Sequence, residues 1–437
     1  MLNKKFITIG FVSTAAALSL LFSTSLFATA PQEPTNEASR LQALAKFTKV
    51  LGIVEQYNVD DVTLPDLIDK SLQGLMTNLD AHSSFLNKKS FESLKVQTSG
   101  EFGGLGITVG MKDGALTVIA PIEGTPADKA GLQAEDIILK INDKSTLNMT
   151  IDDAVNLMRG KVGTPIDITI VRKNEAKPLH IHIVRGNIQI QSVYAKQIDD
   201  NIMYLRVTSF DKKVVDDVKK EINKYKNKDK GIILDLRNNP GGLLDQAVGL
   251  VDLFVDKGPI VSQKGRTESE NRVYNATSSA TITHMPMVAL INGGSASASE
   301  IVSGSLQDHR RAVIVGKKSF GKGSVQVVLP ISDEEAIKLT IARYYLPSGR
   351  TIQAIGVTPD IEVDAGEVKT DDNEFMIKEA DLKKHLEKEL QKDSDKTTSE
   401  KDEKKNKDHI ITNEQLQKDL QLKEAVGIIK ALIITKG

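Results

Sequence analysis

The 437-residue chain contains no cysteine and no tryptophan. Without cysteine there is no disulfide, no thiolate nucleophile and no lipobox. Aromatic residues make up only 4% of the chain, so no platform for stacking nucleic-acid bases is expected. An excess of one charge is missing too. The 57 basic and 58 acidic residues leave a net charge of −1, which gives no electrostatic footprint for nucleic acid. The seven histidines (82, 180, 182, 284, 309, 385 and 409) avoid the glycine-rich strand ends where a catalytic base would sit. His180 and His182 alternate on a strand like a metal pair but have no nearby third ligand, so no metal site is expected. The glycines at 103–110 lack the Gly-Lys-Ser/Thr of a phosphate loop, and no cofactor is expected. After residue 30 no apolar run approaches the length of a membrane span.

The N-terminus carries a targeting pattern. Lys4 and Lys5 precede an apolar stretch from Phe6 to Phe27, and Ala28-Thr29-Ala30 matches a cleavage site. Residues 1–30 are expected to be a secretory signal, with an uncleaved membrane anchor as the alternative. At this length two or three domains are expected beyond it. Residues 31–97 read as a helical segment, because Leu41, Leu44, Ala45, Val50, Leu51 and Val54 recur at helical spacing. A second helix is predicted from Leu64 to Met76, for packing or for a homodimer contact. Residues 187–365 alternate strands (Ile202–Val207, Gly231–Leu236, Met287–Ile291, Ala312–Val315) with helices (Lys213–Tyr225, Leu244–Phe254, Ser299–Gln307). That alternation predicts an α/β layer of mostly parallel, buried strands, with sites in the loops at strand ends. Residues 366–437 are a charged linker, solvated or disordered after Gln391, followed by a terminal helix from Asn413 to Ile434.

Three strand-end loops carry the chemistry. The stretch Asn292-Gly-Gly-Ser-Ala-Ser-Ala-Ser-Glu300 breaks a strand and opens a helix. A serine there meets the free N–H groups of a helix N-terminus, which favour the negative charge of an attacked carbonyl. Ser297-x-x-Glu300 is also a capping box, which would leave Ser297 with no role beyond capping. Gly321-Lys322-Gly323 offers a lysine that can act as a base if burial lowers its pKa. Arg237–Gly242 is a loop with two glycines. The N–H groups of Gly241 and Gly242 are expected to form half of an oxyanion hole, with the Ala298 N–H as the other half. No Gly-x-Ser-x-Gly elbow surrounds Ser297, and His284 and His309 are the only histidine candidates in the core.

Two resemblances organise these pieces. Residues 98–186 resemble a PDZ domain through Gly-Leu-Gly-Ile at 104–107, Pro-Ala-x-x-Ala-Gly-Leu at 126–132, Glu-Asp-Ile-Ile-Leu at 135–139 and the helix Thr150–Arg159. The alternative is a glycine-rich hairpin in an unrelated β domain. The resemblance implies that Gly104, Leu105, Gly106 and Ile107 present N–H groups to a peptide carboxylate, and that the next strand and the helix flank a groove for an added strand. Residues 40–365 resemble the C-terminal processing (tail-specific) peptidases. The matching motifs are Asp-Leu-Arg-Asn-Asn-Pro-Gly-Gly (235–242), Gly-Ser-Ala-Ser-Ala-Ser-Glu-Ile (294–301), Gln-Asp-His-Arg-Arg-Ala (307–312), Ser-Phe-Gly-Lys-Gly-Ser-Val-Gln (319–326), Tyr-Tyr-Leu-Pro-Ser-Gly-Arg-Thr-Ile-Gln (344–353) and Gly-Val-Thr-Pro-Asp (356–360).

That family resemblance implies a multi-domain α/β fold with a protease core of the ClpP/crotonase-like type. Of the three competing serines 295, 297 and 299 it selects Ser297, with Lys322, 25 residues later, as the base. Gln326 would orient the amine from one helical turn beyond Lys322, if that segment is helical. Asp308 belongs to the family pattern, but beside His309, Arg310 and Arg311 it is as readily structural. Arg159 is the expected contact between a ligand-bound groove and the core, or a cation satisfying helix carbonyls. The implied protein is a cofactor-free serine endopeptidase of the bacterial periplasm, soluble or held at the membrane by its N-terminus. Its substrates would carry free, apolar C-termini. Two rival classes are a non-catalytic PDZ adaptor and an acyl-CoA-handling enzyme on a related layer. Ser297, Lys322 and Gly241-Gly242 together disfavour the first. The signal and the PDZ-like unit disfavour the second.

Overall fold

The structure is a computed structural model and describes residues 37–225, 230–368 and 410–436. The signal expected over 1–30 and the linker expected after Gln391 lie outside the described residues. Among the described residues no helix is long and apolar enough to cross a membrane. Two compact units divide after Leu79. The first is a pair of helices, Glu37–Tyr57 and Leu64–Leu79, which bury Leu51 and Met76 and leave Leu41, Leu44 and Val50 exposed.

The second unit begins at Asp80 and contains two bodies. One of them is built on a six-stranded sheet in the order Val193–Ile198, Ile202–Val207, Gly231–Asp235, Met287–Ile291, Val313–Gly316, Ile361–Glu362. Every pairing is parallel except the first. The central strands Gly231–Asp235 and Met287–Ile291 are buried at all five positions, as expected of a sheet covered on both faces. Successive side chains point to opposite faces. Leu234, Ala289 and Ile291 pack with the helices Val214–Tyr225, Leu244–Asp252 and Ala298–Asp308. Ile233, Val288 and Leu290 pack with Leu422, Ala425, Val426 and Ile429 of the terminal helix Leu420–Lys436. The terminal helix expected from Asn413 is interrupted at Lys418-Asp419, after a short helix Asn413–Gln417.

A second, antiparallel sheet has no counterpart in the expected α/β layer. It joins Lys257–Gly265, Arg272–Thr277, Ser324–Pro330 and Ala336–Tyr345 to the strand Ser84–Leu86. The stretch after Leu79 is therefore not simply helical: it supplies this strand, then the helix Lys88–Ser99.

The remaining body is a sheet in the order Ile107–Lys112, Ala115–Pro121, Ile137–Ile141, Pro165–Val171, Leu179–Val184, with helices Pro126–Lys129 and Ile151–Met158. Alternating aliphatic residues such as Ile166, Ile168 and Ile170 close its core with Leu116, Val118 and Ile141. The strand Ile107–Lys112 lies at the sheet's edge, beside the helix. His180 meets Thr169 and His182 pairs with Asp167, both exposed on the outer strand.

Candidate active site

The strand Met287–Ile291 ends in a turn tied tightly to the loop Arg237–Gly242. Asn292 accepts from the N–H groups of Asn238 and Gly294 and donates to the Asn238 side chain. The Ser295 hydroxyl donates to the Leu236 carbonyl at 2.8 Å, and that of Ser299 to the Asn239 carbonyl at 2.8 Å. Both serines are fully buried. Ser297 is different. It is half-buried, its backbone is strained at φ 54° and ψ −110°, and it lines the cleft. Two of the three candidate serines are thus bound up in holding the turn, and one is presented.

The cleft measures about 630 Å³ and is lined by Ser297, Lys322, Gln326, Gly241 and Gly242, with Lys338 and Tyr344 from the antiparallel sheet. Gly241 and Gly242 take φ values of 103° and 150°. A Cβ on Gly241 would lie 3.0 Å from the Ala298 nitrogen, and one on Gly242 would lie 2.3 Å from the Phe210 carbonyl oxygen. Only glycine permits this approach of loop to turn. One correction concerns the donors. The Gly241 N–H donates to Asn239 Oδ1 at 2.9 Å, so it is already engaged. Among the described residues, the N–H groups of Gly242 and Ala298 donate to no acceptor, and Gly242 lines the cleft.

Lys322 follows the strand Val313–Gly316 through the loop that ends at Gly323. Burial pulls its amine below the ordinary lysine value, and the neighbouring Lys338 charge adds to this; Glu300 opposes it. No hydrogen bond joins the Ser297 hydroxyl to the Lys322 amine. The segment after Lys322 is not helical: it enters the strand Ser324–Pro330. Gln326 therefore reaches the cleft from two positions beyond Ser324 on one strand face, donating to the Ser324 hydroxyl at 2.8 Å. Asp308 lies at the far end of the helix Ala298–Asp308, roughly 16 Å from Ser297 at 1.5 Å per residue. It pairs with Arg350 and accepts from the Ser348 N–H, outside the cleft.

His284 pairs with Asp256 on the surface and His309 bonds the Pro259 carbonyl, so neither lines the cleft. The histidine that does feel Lys322 is His82, held by the Asp80 turn. Burial first, and then the Lys322 charge, lower its pKa, against the opposing pull of Asp80. Nothing in the sequence pattern placed it there, because it lies in the turn just before the short strand that joins the antiparallel sheet.

Glu300 was legible only as a capping acid. It is fully buried, and its carboxylate accepts from the Ser297 N–H at 2.8 Å, the Gly321 N–H at 2.7 Å, the Lys322 N–H at 2.8 Å and the Ser319 hydroxyl. One side chain thus fixes the serine turn to the lysine loop. Glu300→Gln would turn an NH₂ group toward donors. It is expected to lower kcat by about a hundredfold and to cost about 1–3 kcal/mol of stability, the range for an unsatisfied buried group. Steady-state kinetics and thermal unfolding of the variant check this; unchanged kcat would remove Glu300 from the site's assembly.

Gly104, Leu105, Gly106 and Ile107 line a hollow of about 190 Å³ between the edge strand and the helix Ile151–Met158, with Val155, Met158 and Arg159 opposite. Among the described residues the N–H groups of Leu105 and Gly106 donate to no acceptor. The Arg159 guanidinium stacks on Phe102, 4.5 Å from the ring centroid. A presented hydroxyl, a half-buried amine and the unengaged Gly242 N–H at one cleft, with the unengaged Ala298 N–H next to Ser297 in the chain, are parts that nucleophilic acyl transfer can use.

Residues 201–363 match the model of peptidase family S41, and residues 117–172 that of the PDZ domain. The carboxy-terminal-processing protease of Bartonella bacilliformis is 45% identical over 337 residues, covering 75% of this chain and 77% of that one. The carboxy-terminal processing protease CtpA of Bacillus subtilis is 33% identical over 356 residues, covering 80% and 75%. Among solved structures, a photosystem II D1 C-terminal processing protease aligns at 25% identity with a TM-score of 0.42, over 73% of this chain and 92% of that one. The chain belongs to the carboxy-terminal-processing serine proteases of peptidase family S41.

Proposed function

We propose that this protein is an extracytoplasmic endopeptidase that cleaves through an acyl-enzyme formed on Ser297, with Lys322 as its base. The observation that carries this reading is that Ser297 alone of the three serines lines the cleft that Lys322 also lines, whereas the hydroxyls of Ser295 and Ser299 donate to carbonyls inside the turn; the capping box with Glu300 asks the Ser297 oxygen only to accept. The neutral Lys322 amine takes the hydroxyl proton as Oγ attacks the scissile carbonyl. The carbonyl oxygen gains negative charge and is met by the N–H groups of Gly242 and Ala298. The ammonium then passes its proton to the departing amine as the C–N bond breaks. Water repeats the sequence on the ester and releases the acid. Gln326 holds the strand face beside the amine. A fluorophosphonate probe tests this: its mass should appear on the proteolytic fragment containing Ser297. Labelling confined to Ser295 or Ser299 would move the nucleophile.

The groove above Gly104–Ile107 suits the C-terminus of the substrate. A peptide adding to the edge strand gains main-chain hydrogen bonds, and its carboxylate meets the Leu105 and Gly106 N–H groups. With Ser297→Ala protein as an uncleaving binder, a peptide with a free apolar C-terminus should bind at least tenfold more tightly than its C-terminal amide, read by fluorescence anisotropy. Equal affinities would exclude this mode.

Arg159 supports a link from groove to cleft. With Phe102 it lines both the groove and a second hollow against the helix Lys88–Ser99. That helix also contributes Leu94, Gln97 and Thr98 to the catalytic cleft. Groove occupancy that moves Arg159 thus has a direct path to the site, where Ser297 and Lys322 must draw together. The Arg159 N–H bonds the Val155 carbonyl, but its side chain satisfies no helix carbonyl among the described contacts.

A further inference from the structure

The C-terminal segment reaches the active site through one side chain. Arg237 is the first residue of the loop that carries Gly242, and all five of its guanidinium N–H positions are used. Nε donates to Asp235 at 3.0 Å. Nη2 donates to Asp235 and to Asp419 Oδ2, both at 2.7 Å. Nη1 donates to Asp419 Oδ1 at 2.8 Å and to Gln421 Oε1 at 3.1 Å. Asp419 and Gln421 stand at the start of the terminal helix, where Asp419 also accepts from the Leu422 N–H at 3.0 Å. Burial would push the Asp419 carboxyl up, but the Arg237 hydrogen bonds and charge hold it below its ordinary value. Gln421 is anchored in turn by the Val363 carbonyl.

We infer that Asp419 is a positioning residue for catalysis, through which the terminal helix holds the oxyanion loop in register with the serine turn. The bidentate pair fixes Arg237 in a single orientation, as planar guanidinium–carboxylate forks do. From Arg237 the constraint passes along the loop. Asn238 is bonded to Asn292, and Asn239 to the Ala296 N–H, the Ser299 hydroxyl and the Val207 carbonyl. The loop ends at Gly242, which lines the cleft and whose N–H has no acceptor among the described residues. Loosening Arg237 therefore acts on the two oxyanion donors, not on the groove. The helix has a second, separable role, since Ile429, Val426 and Ala425 cover one face of the sheet whatever Asp419 does. This inference rests on the proposed roles of Ser297, Gly242 and Ala298.

The test compares full-length Asp419→Asn, Ile429→Ala and Ser297→Ala proteins with wild type. Asp419→Asn should lower kcat at least tenfold with KM within threefold, and should weaken inhibition by a substrate-based peptide aldehyde, whose adduct needs the oxyanion donors, by a similar factor. Its circular dichroism and unfolding midpoint should stay near wild type. Ile429→Ala should lower the unfolding midpoint while each folded molecule keeps wild-type kcat. Wild-type kcat in Asp419→Asn would overturn the inference. So would a loss that merely follows the unfolded fraction, or an equal loss per folded molecule in Ile429→Ala. If Asp419→Asn fails to fold, Gln421→Leu removes the neighbouring acceptor and is judged by the same criteria. Wild-type turnover in Ser297→Ala would sink the underlying site reading instead, which keeps the two failures apart.

Discussion

Replacing Ser297 with alanine should abolish peptide hydrolysis, with kcat falling on the order of a million-fold, the scale seen when a serine nucleophile is removed. The fold should survive. The Ser297 side chain lies at the cleft, whereas the turn is held by Asn292, Ser295, Ser299 and Glu300. Unfolding midpoint and far-ultraviolet spectrum should match wild type. The control is Ser299→Ala. That hydroxyl donates to the Asn239 carbonyl in the core, so its loss should cost about 1–3 kcal/mol of stability and should not eliminate the acyl-enzyme. Turnover at the wild-type rate in Ser297→Ala would refute the assignment. An unfolded Ser297→Ala protein would show that the serine serves the helix cap, and hydrolysis by Ser297→Thr or its loss would then decide whether the hydroxyl also reacts.

Much of this site was legible because its signals are local. A strand that breaks at Gly293-Gly294 and restarts as a helix announces a turn, and the apolar runs at 231–234 and 287–291 announce buried parallel strands. The PDZ-like unit was legible for the same reason: its glycine turns and aliphatic strands follow in fixed order. What remained hidden depends on distant pairing. The antiparallel sheet combines strands such as Ala336–Tyr345, whose apolar pattern is broken by Lys338 at the cleft, by Thr340 bonded to Asp80 and by the exposed Arg343. The helical expectation beyond Lys322 failed because pairing with that strand decides the conformation there. Ser84–Leu86 is three residues long, too short to carry a period, so the position of His82 could not be foreseen. Gly241 looked like an oxyanion donor because sequence shows a glycine but not the Asn239 side chain folded back onto its N–H. The Arg237–Asp419 pair spans most of the catalytic half of the chain, and no spacing rule connects its ends.

The second large effect is expected at Lys322. Lys322→Arg should lower kcat between about a hundred- and ten-thousand-fold, the usual contribution of a positioned base, because a guanidinium stays protonated throughout the working pH range. In the wild type the base must be neutral in the free enzyme, so kcat/KM should rise with pH by about tenfold per unit and then level off. Burial and Lys338 lower the Lys322 pKa, so the plateau should begin below roughly pH 10.4, the unperturbed lysine value. The sign of the Lys338 effect follows: Lys338→Met removes a like charge that disfavours the ammonium, so the ascending limb should move to higher pH and activity at neutral pH should fall. The charges that act on the amine are those of Lys338 and Glu300, and the amine's own charge acts on His82. Of these side chains only His82 has an unperturbed pKa between pH 5 and 8, and burial and the Lys322 charge lower it. His82→Asn should therefore leave the limb in place. A limb that disappears in His82→Asn, together with activity that survives Lys322→Arg, would transfer the role of base from lysine to histidine.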